Sequence, residues 1–289
     1  MVVKGIIYSV DIKNKIISIK DHNQVKFYYF QSKLFKTFRK YLVSGILISF
    51  QALDYPKVKN YVEANMILDI FELTVLGKRK RNLYSKDRID ESLLDFLKSL
   101  KVKMFIDTEM TLTYKKEESE LIQAGLIMYK DNEEVLNENY YIRPTIAKFL
   151  NSRTKDFLHI KQSVIQKEGV SYYKFYNKFK SILNKYHPAV IIFGKNDKLF
   201  LERSYSLNKV PSLSRITRFV NILELIKIYY NLNNDPGLFN LYEKYYGDDL
   251  YQEHDALEDA YITMKVFNAF VRDIEQGGIY KSKIEELDK

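Results

Sequence analysis

Three short blocks in this 289-residue chain carry side chains that can do chemistry together. Phe105-Ile106-Asp107-Thr108-Glu109-Met110-Thr111 ends an apolar run, Gly194-Lys195-Asn196-Asp197 follows some way on, and His254-Asp255-Ala256-Leu257-Glu258-Asp259-Ala260 lies near the end. Four carboxylates (Asp107, Glu109, Asp197, Asp259) and one imidazole (His254) suit cleavage of a phosphodiester. That reaction needs divalent cations to neutralise the phosphate, activate a water and stabilise the leaving oxygen. Hard cations such as Mg²⁺ take oxygen ligands, and carboxylates supply them.

The elements that must hold these groups are legible around them. Val102 to Ile106 is strand-like, and side chains two apart share one face of a strand, so Asp107 and Glu109 can meet one cation. Ala256, Ala260, Met264, Phe267 and Val271 recur at helical spacing. This puts His254 at the mouth of a helix and Asp259 on its second turn. An imidazole there is suited to taking a proton from water. Any one of these carboxylates, taken alone, reads as a solvated surface charge. Asp107 differs because it ends an apolar strand, where an uncompensated charge is costly. Asp255 and Glu258 read as acids at a helix start, and His22, His159 and His187 belong to no block.

The order Asp-x-Glu, then Asp, then His with Asp five residues later resembles the DEDDh 3′-to-5′ exonucleases, over residues 102–272. Gly194-x-x-Asp197 before Phe200-Leu201-Glu202, with Pro236-Gly237-Leu238 and Tyr246-Gly247, is similar to the branch that trims histone-mRNA and small-RNA 3′ ends. The resemblance implies a ribonuclease H-like sheet and two divalent metal ions, Mg²⁺ or Mn²⁺. By the same resemblance Asp107 bridges the two metals, Glu109 and Asp259 complete the ligands of the first, Asp197 acts through water and His254 is the general base. Met110 and Thr111 match positions that seat the 3′ end, although Met110 stands where many relatives have Thr or Ala and no Gly follows Thr111.

Composition bounds the rest. The chain has no Cys, which excludes disulfides and thiolate metal sites. A 46% hydrophobic content is enough for real cores. No run reads as a membrane span or a secretory leader, so a cytoplasmic location is expected. The net charge of +9 is uneven: residues 1–101 hold 19 Lys and Arg against 10 Asp and Glu, and residues 102–289 hold 27 against 27. A sequence-independent grip on a polyanion needs such an excess.

The first 76 residues supply the basic part. Strands are expected at Val2–Val10, Lys15–Lys20, Val25–Phe30, Ile46–Ala52 and Tyr61–Val75, with a helix from Ser32 ended by Gly45. Five strands with a helix between the third and fourth is the order of an OB-fold, a small barrel that commonly binds oligonucleotides. In Lys26-Phe27-Tyr28-Tyr29-Phe30 only one alternating set can face outward. Tyr28, with Lys26 on its face, is the expected base-stacking residue. Lys78, Arg79, Lys80 and Arg81 follow in a basic linker, residues 77–101, that ends in a short amphipathic helix and can track a phosphate backbone.

Residues 102–275 are expected to form the catalytic domain, with strands Val102–Asp107, Leu121–Tyr129 and Val135–Ile142, then helices alternating with strands Ala189–Phe193 and Phe219–Leu223. The fold class expected is α/β, a ribonuclease H-like mixed sheet with flanking helices preceded by a small OB-like β-barrel. The activity expected is 3′-to-5′ exonucleolytic hydrolysis of single-stranded RNA or DNA with a free 3′ end, RNA favoured, to nucleoside monophosphates. The alternatives are a DNA-trimming or proofreading-type exonuclease, or a catalytically silent RNA-binding protein.

Overall fold

The computed structural model describes residues 1–21, 24–76, 81–114, 118–147, 149–248 and 254–288. The chain divides into two compact units, Met1–Leu93 and Leu94–Lys289.

The first unit contains β1 (Val2–Asp11), β2 (Ile16–Asp21), β3 (Gln24–Phe30), α1 (Ser32–Phe38), β4 (Ile46–Lys59), β5 (Val62–Val75) and β6 (Arg81–Ser85). Antiparallel pairing runs β3-β2-β1-β4-β5-β6, and parallel pairing of β3 with β5 closes β1 to β5 into a barrel. Closure follows from the length of β5: Ala64 to Ile67 meets β3, whereas Glu72 to Val75 meets β6. The inward set of each strand fills the interior, with Ile7, Ile17, Ile48, Phe50 and Ile67 fully buried beneath Phe35 and Phe38 of α1. Beyond Ala52 the second half of β4 is different. Asp54 to Lys59 are all exposed, on both faces of the strand, up to a tight turn at Asn60 and Tyr61.

Tyr28 belongs to the inward set. It is buried, with its ring edge-on to Phe50 at 4.9 Å. The expected stacking residue is therefore a core residue, and Phe27 and Tyr29 are the half-exposed members of the run. The sequence left the parity of this strand open, and Phe50, on a strand remote in sequence, decides it.

The chain crosses to the second unit in α2 (Lys86–Ser99). There follow β7 (Val102–Met110), β8 (Leu121–Lys130), β9 (Glu133–Tyr141), α3 (Ser152–Leu158), α4 (Gln162–Glu168), α5 (Tyr172–Tyr186), β10 (Ala189–Ile192), α6 (Asn196–Leu207), β11 (Arg218–Asn221), α7 (Ile222–Tyr230), α8 (Leu238–Tyr246), α9 (Ala256–Glu275) and α10 (Lys281–Glu285). The sheet order is β11-β10-β7-β8-β9, with β11, β10 and β7 parallel and the rest antiparallel. β10 is buried throughout, as a central parallel strand covered on both faces must be. The last strand is shorter than expected because Ile222 and Leu223 begin α7, burying one helical face with Ile226, Tyr229 and Tyr230. α9 lies along β7, with the rings of Phe105 and Phe267 5.5 Å apart. Among the described residues no helix is long and apolar enough to cross a membrane.

Candidate active site

Three elements deliver the charged groups. β7 turns Thr108 and Met110 into the interior and Asp107 and Glu109 to the other face, where both are half-buried. After β10, Gly194 takes φ +86°, a conformation that suits glycine, and its N–H donates to Asn221 Oδ1 at 2.9 Å. That turn starts α6 and places Asp197 in its first turn, buried. The third element, α9, carries buried Asp259 in its first turn, not its second, and His254 precedes it with φ 54°.

The helix start is held against the sheet by a chain of specific contacts. Asp255 caps α9 by accepting from Leu257 N (3.0 Å) and Glu258 N (3.1 Å), and its other oxygen accepts from Gln123 Nε2 at 2.7 Å. Gln123 is fully buried and pairs with Glu109 across β7 and β8. Gly125, the partner of Asp107, has no room for a side chain: a Cβ there would lie 2.2 Å from the Ala256 carbonyl oxygen. The absent methyl lets α9 press onto the strand beside Asp107. Gly125→Ala is accordingly expected to push α9 outward, lowering turnover by on the order of 10²-fold, the scale expected when reacting groups are misplaced by about 1 Å. It is also expected to lower the melting temperature. Steady-state kinetics beside a thermal melt checks this, and unchanged values for both would contradict the packing argument.

Glu109, His254 and Asp259 each offer a ligand atom, all within 4.8 Å of one another. Asp107 and Asp197 border this group. Asp197 is anchored, its Oδ1 accepting from both Thr108 N and Thr108 Oγ1 at 2.9 Å. The His254 ring stacks on Phe157 of α3 at 4.3 Å, and Phe157 is 47% exposed. α3 is itself fixed by Asn151, which caps Thr154 N, and by Thr154 Oγ1, which accepts from Leu112 N.

The electrostatics are those of carboxyls crowded together, each made harder to ionise by burial and by its neighbours. Burial, then the neighbouring Asp197 and Glu109, push the Asp107 carboxyl far above its ordinary range. Glu109 is pushed up to about 8 by burial and by Asp259. Asp197 is pushed to about 7 by burial, against the opposing hydrogen bonds of Thr108. Burial also holds the His254 imidazole below its usual value, helped by His159. Two carboxylates and an imidazole at this distance, with the carboxyls of Asp107 and Asp197 close enough to repel them, fit a divalent cation, which would relieve the repulsion.

A pH dependence follows. A carboxylate whose folded pKa is raised binds more protons folded than unfolded, so its contribution falls as pH rises from the unfolded value to the folded one. In EDTA the melting temperature is expected to drop between about pH 4.3, the ordinary Glu value, and about 8, the value for Glu109. Mg²⁺ or Mn²⁺ should raise it more at pH 8 than at pH 5. Melts across pH with and without metal check this, and a metal shift equal at both pH values would contradict it.

The remaining expected contacts fare differently. Met110 is buried in the apolar core and Thr111 is buried, its Oγ1 accepting from Glu120 N at 2.9 Å. For Met110 the reason is strand parity, which sets it opposite the carboxylates. Lys26 is exposed on the barrel. Lys78, Arg79 and Lys80 lie outside the described residues, and of Arg81 only the backbone, opening β6, is placed.

With this geometry in view, the family model for exonucleases (RNase_T) matches residues 104–267. The chain belongs to the exonuclease family. The Probable 3′-5′ exonuclease KapD of Bacillus subtilis (strain 168) is 27% identical over 157 residues, 53% of this chain and 74% of that protein. The nuclease domain of 3′hExo, a DEDDh family member solved bound to rAMP, matches with a TM-score of 0.53 at 19% identity, covering 62% of this chain and 94% of that one. Cell-death related nuclease 4 (CRN-4) matches with a TM-score of 0.51 at 17% identity, over 62% of this chain and 65% of that one. These likenesses show the ribonuclease H-like fold of the second unit.

Proposed function

We propose that this exonuclease hydrolyses single-stranded nucleic acid from its 3′ end, RNA in preference to DNA, releasing nucleoside monophosphates with two divalent ions at the carboxylate cluster. The observation that carries the reading is the convergence of Glu109, His254 and Asp259 beside Asp107 and Asp197. Asp107, Glu109 and Asp259 would hold the metals, and Asp197, anchored by Thr108, would act through water. When bound, the metals supply charge neutralisation and an activated water. His254 would take a proton from the attacking water on a ring nitrogen, and its depressed pKa favours a neutral, receptive imidazole near pH 7. Phe157 steadies the ring from its open face.

The RNA preference is supported by two of the relatives, the 3′hExo nuclease domain bound to rAMP and a 3′-exonuclease solved in recognition of the histone mRNA stem-loop. It is tested by digesting RNA and DNA oligonucleotides of equal sequence. RNA is expected to shorten faster, and equal or faster loss of DNA would overturn the preference. Cytoplasmic residence is part of the proposal.

The barrel is proposed as the grip on the strand. Its outward surface supports this: Tyr8 is exposed beneath Lys20 at 5.8 Å, and Lys59 lies 5.0 Å from the Tyr29 ring. Tyr61 is fully exposed at the tip of the β4–β5 hairpin with φ 65°, where a bulky residue is strained. Lys26, on β3, joins this set, and Lys78, Arg79, Lys80 and Arg81 are proposed to continue it. In an Asp107→Asn background, Lys57→Glu with Lys59→Glu is expected to weaken an uncleavable 20-mer. The slope of log affinity against log salt should become shallower by roughly 0.7 for each phosphate that is no longer neutralised. Equal slopes with and without the two substitutions would reject the grip.

A further inference from the structure

A cavity of about 790 Å³ opens in the second unit, away from the carboxylate cluster. It lies toward the other end of the same two elements. Lys103 on its wall precedes Asp107 by four residues, roughly 13 Å along a strand. Lys265 follows Asp259 by six residues, roughly 9 Å along a helix. The volume is that of an ordinary small-molecule site, and three tyrosines, Tyr129, Tyr246 and Tyr261, share the lining.

The charge on its walls sets it apart. Five cations line it, Lys98, Lys101, Lys103, Lys265 and Arg272, against two carboxylates, Asp131 and Glu275. Glu275 is taken up by Lys98 at 2.7 Å. Residues 94–289 as a whole are almost neutral, with 29 Lys and Arg against 28 Asp and Glu, so the surplus is concentrated in this concavity. The cations are also held in place. The Lys265 ammonium sits 5.4 Å from the Tyr246 ring centre and 5.5 Å from that of Tyr261, and Arg272 donates to the Tyr246 hydroxyl at 3.1 Å. Lys103, half-buried, donates to the Leu100 carbonyl at 3.1 Å. Complementing a helix carbonyl end accounts for Arg272, in the last turn of α9, but not for Lys265, midway along it. Like charges held around one concave volume repel, and a bound anion relieves them; planar rings beside them suit a ligand that carries a base as well.

We propose that this cavity is a second binding site, taking the phosphate-bearing part of a nucleotide. The phosphate can come from a free 5′-mononucleotide or from the backbone of a bound strand. The proposal is independent of the reaction at the carboxylate cluster.

Calorimetric titration of the full chain with 5′-AMP, and separately with a phosphorothioate 20-mer, tests it in EDTA, where the anionic cluster has no cation to attract phosphate. Saturable binding is expected that weakens at least tenfold in Lys265→Glu/Arg272→Glu and is unchanged in Asp107→Asn. Lys101→Glu, at an exposed position that leaves the packing alone, is expected to weaken it in the same direction. Sensitivity confined to 5′-AMP identifies a free nucleotide as the ligand, and sensitivity of the 20-mer identifies the strand. No binding of either ligand, or binding equal in the wild type and both charge-reversed proteins, overturns the proposal.

Discussion

Asp107→Asn is expected to abolish turnover, a loss on the order of 10³-fold or more, because several kcal/mol of transition-state stabilisation by metal is removed and each ~1.4 kcal/mol is tenfold in rate. The substitution keeps the shape of the side chain and the pairing of Asp107 with Gly125, so β7 and the start of α9 stay in place. It removes an ionisable carboxyl from a cluster in which Asp107 is raised by burial and by Asp197, Glu109 and Asp259. The metal-free protein should therefore melt no lower than the wild type at pH 8, while the gain in melting temperature on adding Mn²⁺ shrinks. Single-turnover kinetics with paired melts checks both. Wild-type cleavage by the variant would remove Asp107 from the mechanism, and a full metal shift would remove it from the metal site.

His254→Ala is expected to cost on the order of 10²-fold or more in rate, the usual scale of general-base catalysis. In the wild type the rate should rise with pH and level off with an inflection below 6.5, because burial depresses the imidazole pKa. The variant should lose that inflection. Turnover unchanged in His254→Ala, or an inflection that persists in it, would assign the base elsewhere.

The five side chains proposed to carry the reaction were legible because each sits in a block whose local pattern fixes its element: a strand end, a glycine turn, a helix mouth. The groups that hold them were not. Thr108 reaches Asp197 across 89 residues, and Gln123 reaches Asp255 across 132, so no local spacing signals either pairing. Phe157 reads in sequence as one apolar residue of a short helix, and only the return of the chain at His254 gives it a ring to stack on. Gly125 carried a signal of sorts, a glycine inside a largely apolar strand, which marks close backbone approach. In the barrel the element order was readable from alternation and turns, whereas the facing of Tyr28 was not. A run of aromatics on consecutive positions has two equivalent phases until Phe50 selects one. Met110 shows the opposite case, since the period of two that paired Asp107 with Glu109 already turned it inward.

Removal of nucleotides one at a time from a 3′ end is the activity assigned to the carboxylate cluster. A 20-mer RNA labelled at its 5′ end, incubated with the protein and Mg²⁺ and sampled over time, probes it without intermediaries. The expected result is a ladder that shortens by single nucleotides from the 3′ side, releases 5′-monophosphates and stops in EDTA. Internal fragments at early times, or a ladder undiminished in EDTA, would contradict it.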